Sequence, residues 1–412
     1  VPIVAICGNV PPTQIGTDSF QEIDITGVTL PITKHNYFVG RVEELADTIR
    51  EAFALAASGR PGPVLIDVPK DVQIACCDYE PQPPAKPEPP KAAKEIRIKE
   101  AANYINAARR PYIYFGGGMI TAGAQEEMLR LADMIDAPIG CSLMGISGIP
   151  TDHPRFLGMQ GMHGHYASSM AMHHADLIIS LGVRFNDRVT GNRHKFATGA
   201  KIVHIDVDGS ELSKTVNAVC GLRGDVKPTL DALLPLITAG EKPEWRAEVD
   251  GFRAGEDEYL DHRAGMTPRN AILTLNRHLG ENTAVCTDVG QHQMWAAQNL
   301  SFRTPRRFIS SGGLGTMGFG FGAAIGAAFG TRERSVLVTG DGSFGMCLQE
   351  LATAVTYNVP IVILILNNGV LGMVRQWQTL FFNKHYSNTV LNRKTDFPAF
   401  ARSFGADGET VT

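Results

Sequence analysis

The chain lacks the usual signatures of a metal or disulfide scaffold. Its seven cysteines include no CxxC pair; Cys76 and Cys77 are adjacent and the others are scattered through apolar runs. Reduced cytosolic thiols are the expectation, with a secreted disulfide framework as the alternative. An excess of positive charge is also missing. The net charge of −4 provides no basic face for nucleic acid or anionic lipid. There is no low-complexity tail and no short tandem repeat. One window, Phe308 to Gly330, has no charge across 23 positions and is long enough to span a bilayer. Eight of those positions are Gly, and Ser310, Ser311 and Thr316 add polarity. A Gly-rich loop leading into a small-residue helix packed on a sheet fits better than a membrane span. The sequence begins on "VPIVAIC", which reads as a buried strand, and closes on "FGADGETVT", where a helix hands over to a strand. Both ends are expected to be cuts through folded domains of a longer chain.

What is present points to several α/β domains. The 412 residues exceed what one core usually fills, and 44% hydrophobic with 19% charged is a soluble globular composition. "PIVAIC" and "GPVLIDVP" read as strands around the helix "RVEELADTIREAFALAAS". "PQPPAKPEPPK" follows, with six prolines in eleven residues, a spacer that cannot enter a sheet or helix interior. Beyond it, the helices "KEAANYINAA" and "AQEEMLRLADMI" alternate with the strands "RPYIYFGGG", "APIGCS", "ADLIISLGV" and "KIVHIDVD". A polar, charge-rich stretch at 239–264 reads as a second linker. "TAVCTDVG", "RFISSGG", "RSVLVTGDG" and "PIVILILNN" then repeat the pattern. Short apolar strands separated by helices predict parallel, doubly wound α/β sheets. Three such blocks are expected, at 1–78, 96–238 and 265–412, with linkers at 79–95 and 239–264 and the outer two incomplete.

The third block carries the strongest chemical signal. The strand "SVLVTG" ends in Gly340-Asp341-Gly342, and the strand "PIVILIL" ends in Asn367-Asn368. Asp341 and Asn368 are 27 residues apart, which suits one right-handed βαβ unit. Both then sit at carboxyl ends of parallel strands, where open α/β sheets bind ligands. A carboxylate and an amide carbonyl there suit Mg²⁺, which takes oxygen ligands and shares them with phosphates. The amides of the following helix favour the phosphate itself. An Asp-Gly turn followed by an unrelated Asn-Asn turn is the plainer alternative.

The GDG and Asn-Asn pair at this spacing resembles the signature of thiamin diphosphate enzymes. "SSGGLGTMGFG", "TDVGQHQMWAAQ", "MVRQWQTLFF", "IGTDSFQE" and "GMHG" together resemble the large catalytic subunit of acetohydroxyacid (acetolactate) synthases over essentially the whole chain. That resemblance implies a pyrimidine-binding, a central FAD-binding and a diphosphate-binding domain. It also implies decarboxylation of pyruvate on thiamin diphosphate and carboligation to a second 2-keto acid, pyruvate or 2-ketobutyrate, in branched-chain amino acid synthesis. Pyruvate oxidase, glyoxylate carboligase or a non-catalytic paralogue remain alternatives. A homodimer or tetramer is implied, with a possible regulatory small subunit, and neither nucleic acid nor membrane as partner. The implied compartment is the cytoplasm, or a stroma or matrix in a eukaryote.

Residue roles follow from the same resemblance. Asp341, Asn368 and the carbonyl of Val370 match the Mg²⁺ ligands. Gly340, Gly342, Ser343, Gly290, Gln291 and His292 match the diphosphate surroundings. Gly315 and Met317 match the loop that bends the cofactor, although Met317 alone reads as core filling. Gln21, Lys70, Met162, Arg188 and Trp377 match the substrate side. A solvated lysine and a packed aromatic are the plain readings of Lys70 and Trp377. Pro11 and Ser19 map to the channel rim, and Phe20 lies beside Gln21. For FAD, the matches begin with Arg60, Gly116, Gly117 and Gly118, then Ser142, Leu143 and Met144. Gly161, Met162, His163 and Gly164 follow, then Gly182, Val183, Arg184, Phe185 and Asn186. Asp206, Val207, Asp208, Asp225 and Val226 complete the set. Asn186 stands where the family commonly has Asp, and Gln160 where it often has an apolar residue, so looser FAD contacts are expected. His163, His165, His173 and His174 lack the carboxylate or Cys spacing of a metal site and read as structural. The glutamate that activates the cofactor maps upstream of Val1.

Overall fold

The computed structural model describes residues 1–85 and 88–412; Lys86 and Pro87, inside the Pro-rich linker, lie outside the described residues. The chain divides into two compact units, Val1–Lys91 and Ala92–Thr412. The first holds a parallel sheet of β1 (Val4–Asn9), β2 (His35–Phe38) and β3 (Val64–Pro69), in the order β1-β3-β2. β3 is central and every one of its residues is buried, which is why it reads so clearly in the sequence. The helix Val42–Ala57 packs Ala52 and Ala56 onto it. Asp67 of β3 is 2% exposed and accepts a hydrogen bond from Asn9 Nδ2 at 2.7 Å; burial raises its pKa.

The second unit contains two parallel sheets. The six-stranded sheet comprises β4 (Pro111–Phe115), β5 (Ile139–Cys141), β6 (Phe156–Met159), β7 (Leu177–Leu181), β8 (Lys201–Asp206) and β9 (Cys220–Arg223). Its order is β6-β5-β4-β7-β8-β9. The chain runs outward from β4 through β5 to β6, then returns to lay β7 on the other side of β4. The order therefore reverses between β4 and β7. β6 and β9, absent from the sequence-based reading, are the two edges; each is four residues long and contains a glycine.

The four-stranded sheet comprises β10 (Ala284–Thr287), β11 (Phe308–Ser310), β12 (Ser335–Gly340) and β13 (Ile361–Leu366), in the order β11-β10-β12-β13. Here the order reverses between β10 and β12. Gly340 pairs with Leu366, so β12 and β13 end together. The expected three-sheet α/β architecture is present, with all strands parallel within each sheet. The uncharged window becomes β11, a loop and the helix Phe319–Thr331. Among the described residues no helix is long and apolar enough to cross a membrane.

Two expectations need correction. The stretch 239–264 is largely a helix, Pro243–Gly255, rather than an open linker. Trp245 is 2% exposed and donates from Nε1 to the Pro111 carbonyl at 3.0 Å. Arg246 pairs with the buried Asp136 at 2.7 Å, and Arg155 reaches the same carboxylate at 2.8 Å. Although burial opposes ionisation, these guanidinium partners hold Asp136 down to about 2. The single helix expected after Gly342 is instead broken into Asp341–Phe344, a 3-10 turn Leu348–Glu350, and Leu351–Thr356.

Candidate active site

Ligands of open α/β sheets bind outside the carboxyl ends of the strands where the strand order reverses. In the four-stranded sheet that point lies between β10 and β12, and the residues leaving these strands are Asp288–Gln291 and Asp341–Ser343. Asp288 ties the floor together. Its fully buried carboxylate accepts from Gly318 N at 2.7 Å, Val289 N at 3.1 Å and Thr339 Oγ1 at 3.4 Å. Burial raises its pKa and these bonds oppose the shift. The sequence reading missed Asp288, whose one available signal was an acid at the end of "AVCT". Ser343 Oγ donates to the Val289 carbonyl at 2.8 Å, joining the two loops.

Asp341 behaves differently. It is 5% exposed, yet among the described residues its carboxylate takes no hydrogen bond and no ion pair; its carbonyl accepts from Gly345 N at 3.2 Å and from Arg393 Nη1 at 3.4 Å. A nearly buried acid without a protein partner is costly unless a cation meets it. Asn368 is exposed at the end of the neighbouring strand, and its Oδ1 accepts from Val370 N at 3.1 Å. Val370 bridges Val390, but that bridge uses the N–H groups of Leu371 and Leu391 and the carbonyls of Thr389 and Gly369. The Val370 carbonyl is not spent on it. One carboxylate, one amide oxygen and one carbonyl form a hard oxygen donor set that fits Mg²⁺.

His292 provides a second open valence. A Cβ added at Gly290 would lie 2.6 Å from its Cε1, and one at Gly340 would lie 2.8 Å from its Nδ1. The ring is thus held between two glycines, 6% exposed, with Nε2 lacking any partner among the described residues. Burial lowers its pKa to about 4, so the imidazole is neutral at physiological pH. Met317 is half-buried, outside the core clusters, with its Cε 3.8 Å from where a Gly342 Cβ would stand. Gly315 and Gly318, at φ +70 and +89, let the loop carry Met317 there. Gly342 itself admits Leu371, whose Cδ2 would be 2.9 Å from a Cβ.

The reversal between β4 and β7 holds the glycines matched to FAD, and they are used differently. Gly118 N donates to the Gly182 carbonyl at 2.9 Å, and Gly116 N to that of Leu181 at 3.1 Å. A Cβ on Gly116 or Gly118 would come 2.7 Å from the Gly182 carbonyl oxygen, and one on Gly182 (φ +54) 2.6 Å from the Gly118 carbonyl carbon. These glycines serve backbone-on-backbone packing first. Gly117 is less confined, with Met144 Cβ at 3.4 Å. Val183, Phe185 and Val226 are core side chains, and the Val183 carbonyl accepts from His204 Nε2 at 2.9 Å. Asp206 takes Asp208 N at 2.8 Å, Asp208 takes Ser210 N at 3.0 Å, and Asp225 caps its helix through Lys227 N at 3.2 Å; Val207 lies between the first two. Ser142 N donates to the Phe115 carbonyl at 2.9 Å. Leu143 and Arg184 approach the loop of the other sheet: a Cβ on Gly312 would lie 3.2 Å from Leu143 Cδ2, and one on Gly313 3.4 Å from Arg184 Nη2.

Three substrate-side candidates converge. The Arg188 guanidinium lies 4.6 Å over the Trp377 ring, and the Arg188 carbonyl accepts from Met162 N at 2.8 Å. Gly161, at φ +110, and Gly164 close the turn bearing Met162 and His163. Burial and the Arg188 charge together lower the His163 pKa. Asn186 caps its helix through Val189 N at 3.2 Å, and Gln160 Oε1 accepts from Ser168 Oγ at 3.0 Å. His165 bonds Met159 N and the Gln298 carbonyl, and His174 meets Glu248 at 2.8 Å. In the first unit, Gln21 (φ +63) lies in the loop leaving β1 and Lys70 follows β3, at the carboxyl end of that sheet. Glu22 turns inward to Ser19 N at 2.9 Å. Arg60 precedes β3, about 20 Å of strand away from Lys70.

Residues 288–412 match the C-terminal TPP-binding domain of thiamine pyrophosphate enzymes, and residues 98–233 match their central domain. The probable acetolactate synthase large subunit of Methanocaldococcus jannaschii is 43% identical over the whole chain, which spans 72% of that protein. The Escherichia coli isozyme 3 large subunit is 40% identical, again over the whole chain and 74% of the relative. This chain belongs to the acetolactate synthase large-subunit family. Its relative from Corynebacterium glutamicum, 42% identical, is spanned to 68% of its length. Membership in a thiamine pyrophosphate enzyme family fits the open donor set at Asp341 and the orphaned His292 Nε2.

Proposed function

We propose that the chain converts pyruvate and a second 2-keto acid into acetolactate or acetohydroxybutyrate with release of CO₂, the first common step of branched-chain amino acid synthesis. The observation that carries this reading is the unspent Asp341 carboxylate where β12 ends. Asp341, Asn368 and the Val370 carbonyl would hold Mg²⁺, and the neutral His292 ring borders the place where a diphosphate would lie. Thiamin diphosphate, when bound, supplies the electron sink for decarboxylation. The protein's own part is to position and select. Arg188 offers a cation to a keto-acid carboxylate, while Trp377 offers a flat apolar face to its alkyl group. Met317 stands beside the GDG turn, where it can prop a ring.

The central residues Gly117, Ser142, Leu143, Met144, Arg184 and the Gly161–Gly164 turn are proposed to hold FAD. Gln21 and Lys70 are proposed substrate-side groups. A homodimer or tetramer, a regulatory small subunit and a cytoplasmic or organellar location belong to the same reading; the relatives' designation as large subunits supports the small partner.

Incubation with pyruvate, thiamin diphosphate, Mg²⁺ and FAD tests it. Acetolactate, joined by acetohydroxybutyrate when 2-ketobutyrate is added, is the expected product. Oxygen-dependent consumption of pyruvate without either product would reassign the chain to the oxidase chemistry.

A further inference from the structure

We infer that Gln376 is a positioning residue that clamps the helix Gly372–Phe381 to the start of the helix Gln291–Asn299 and so fixes where Trp377 stands. This rests on the proposed role of Trp377 in choosing the second keto acid. Gln291 Nε2 donates to Gln376 Oε1 at 3.1 Å. Gly372, one turn earlier on the same helix face, lies so close that a Cβ there would run into Gln291 Oε1. The Gln291 amide is thus seated on two successive turns of this helix. Trp377 is the next residue and projects about 100° around the helix from Gln376. It is held there by Arg188 at 4.6 Å and by Phe381, whose ring centroid is 4.9 Å away.

The consequence is a coupling between two parts of the site. Gln291 adjoins Gly290 and His292, so one hydrogen bond ties the loop leaving β10 to the helix that carries the ring facing Arg188. Without it the helix face bearing Gln376 has lost its polar contact to Gln291, and the Arg188 stack, the Phe381 ring and the Gln378–Ser387 bonds at the far end of the helix must hold Trp377. Displacement of a positioning group by about an ångström is enough to cost up to 100-fold in rate. A specificity contact worth one methylene is correspondingly easy to lose.

The hydrogen bond has a direction, and that makes the test sharp. Gln376 is the acceptor, so Gln376→Glu keeps the bond and Gln376→Ala removes it. In competition between pyruvate and 2-ketobutyrate, Gln376→Ala should lower the share of acetohydroxybutyrate by about threefold or more. Gln376→Glu should restore at least half of that loss. In the ligand-free protein, Gln376→Ala should increase acrylamide quenching of tryptophan emission, and the increase should vanish in a Trp377→Phe background. An unchanged product ratio and quenching in Gln376→Ala, or equal defects in the Ala and Glu variants, would overturn the assignment. If the wild type makes no acetohydroxybutyrate, the functional reading fails instead, and the quenching comparison still decides the positioning role.

Discussion

The two sheets of the second unit reverse their strand order in the same way and use the reversal oppositely. Between β4 and β7 the glycines press backbone against backbone, and the carbonyls of Leu181 and Gly182 are taken by Gly116 and Gly118. Between β10 and β12 the glycines make room, and two nearly buried polar groups, the Asp341 carboxylate and His292 Nε2, find no partner among the described residues. A shared topology therefore marks where a ligand can go, and the unsatisfied valences mark where one is needed. Gly-rich strings look alike in sequence. Tyr114 Oη and Ser180 Oγ, on β4 and β7 themselves, are also unpartnered among the described residues, but only between β10 and β12 do such groups stand in the turns beside the glycines.

The contrast can be broken most severely at Asp341. Asp341→Ala should lower acetolactate turnover by more than about 100-fold, because a metal ligand matters at least as much as the groups that orient it. Thermal unfolding of the ligand-free variant should occur at or above the wild-type temperature, since no partner among the described residues is lost and a costly buried charge is removed. A normal rate would place the metal elsewhere.

At the other reversal a change of stability is expected. Gly182→Ala introduces a Cβ 2.6 Å from the backbone at φ +54 and should cost about 3–5 kcal/mol by urea unfolding. Gly326→Ala, where nothing lies within 4 Å of the added atom, is the control and should not destabilise. Equal effects would show that the β4–β7 glycines are not packed as described.

His292 sharpens the comparison through pH. Its folded pKa, about 4, lies below the ordinary histidine value. The unfolded chain therefore takes up the proton first. Stability is full above the ordinary value near 6.5 and falls as pH drops toward about 4, a loss of about 2 kcal/mol between pH 7 and 5. In the ligand-free protein, His292→Gln should lose that much less over the same interval. Identical acid slopes would mean that the ring is not held neutral by burial.

A smaller effect is expected at Trp377. Trp377→Leu should shift the product ratio toward acetolactate by about tenfold, since one methylene is worth about 1–3 kcal/mol. An unchanged ratio would reduce Trp377 to a packed aromatic.

The parts legible in the sequence were those with long apolar strands buried on both faces. β3, β7, β8 and β12 read clearly, and the spacing of Asp341 and Asn368 followed from β12 and β13. β2, β6 and β9 were hidden for other reasons: β2 fully buries none of its four residues, and β6 and β9 are edge strands interrupted by a glycine. The helix Pro243–Gly255 was masked by its charges, although Trp245 and Val249, four residues apart, were its available signal. Asp288 was missed because its role is to bind backbone N–H groups that only folding brings near. The Arg188–Trp377 stack joins the helices Asp187–Thr190 and Gly372–Phe381, which follow strands of two different sheets, and no local pattern encodes it. The glycines at 116, 118 and 182 were legible as special positions, but whether they admit a ligand or another backbone depends on what folds against them.

The central claim is that the β10–β12 reversal holds a diphosphate through a metal on Asp341. Isothermal titration of the wild-type protein with thiamin diphosphate, in Mg²⁺ and then in excess EDTA, tests it most directly, with unphosphorylated thiamin as the comparison ligand. The account predicts binding of thiamin diphosphate in Mg²⁺ that weakens by at least about tenfold in EDTA, and little binding of thiamin in either condition. Equal affinity for thiamin diphosphate with and without Mg²⁺ would contradict it.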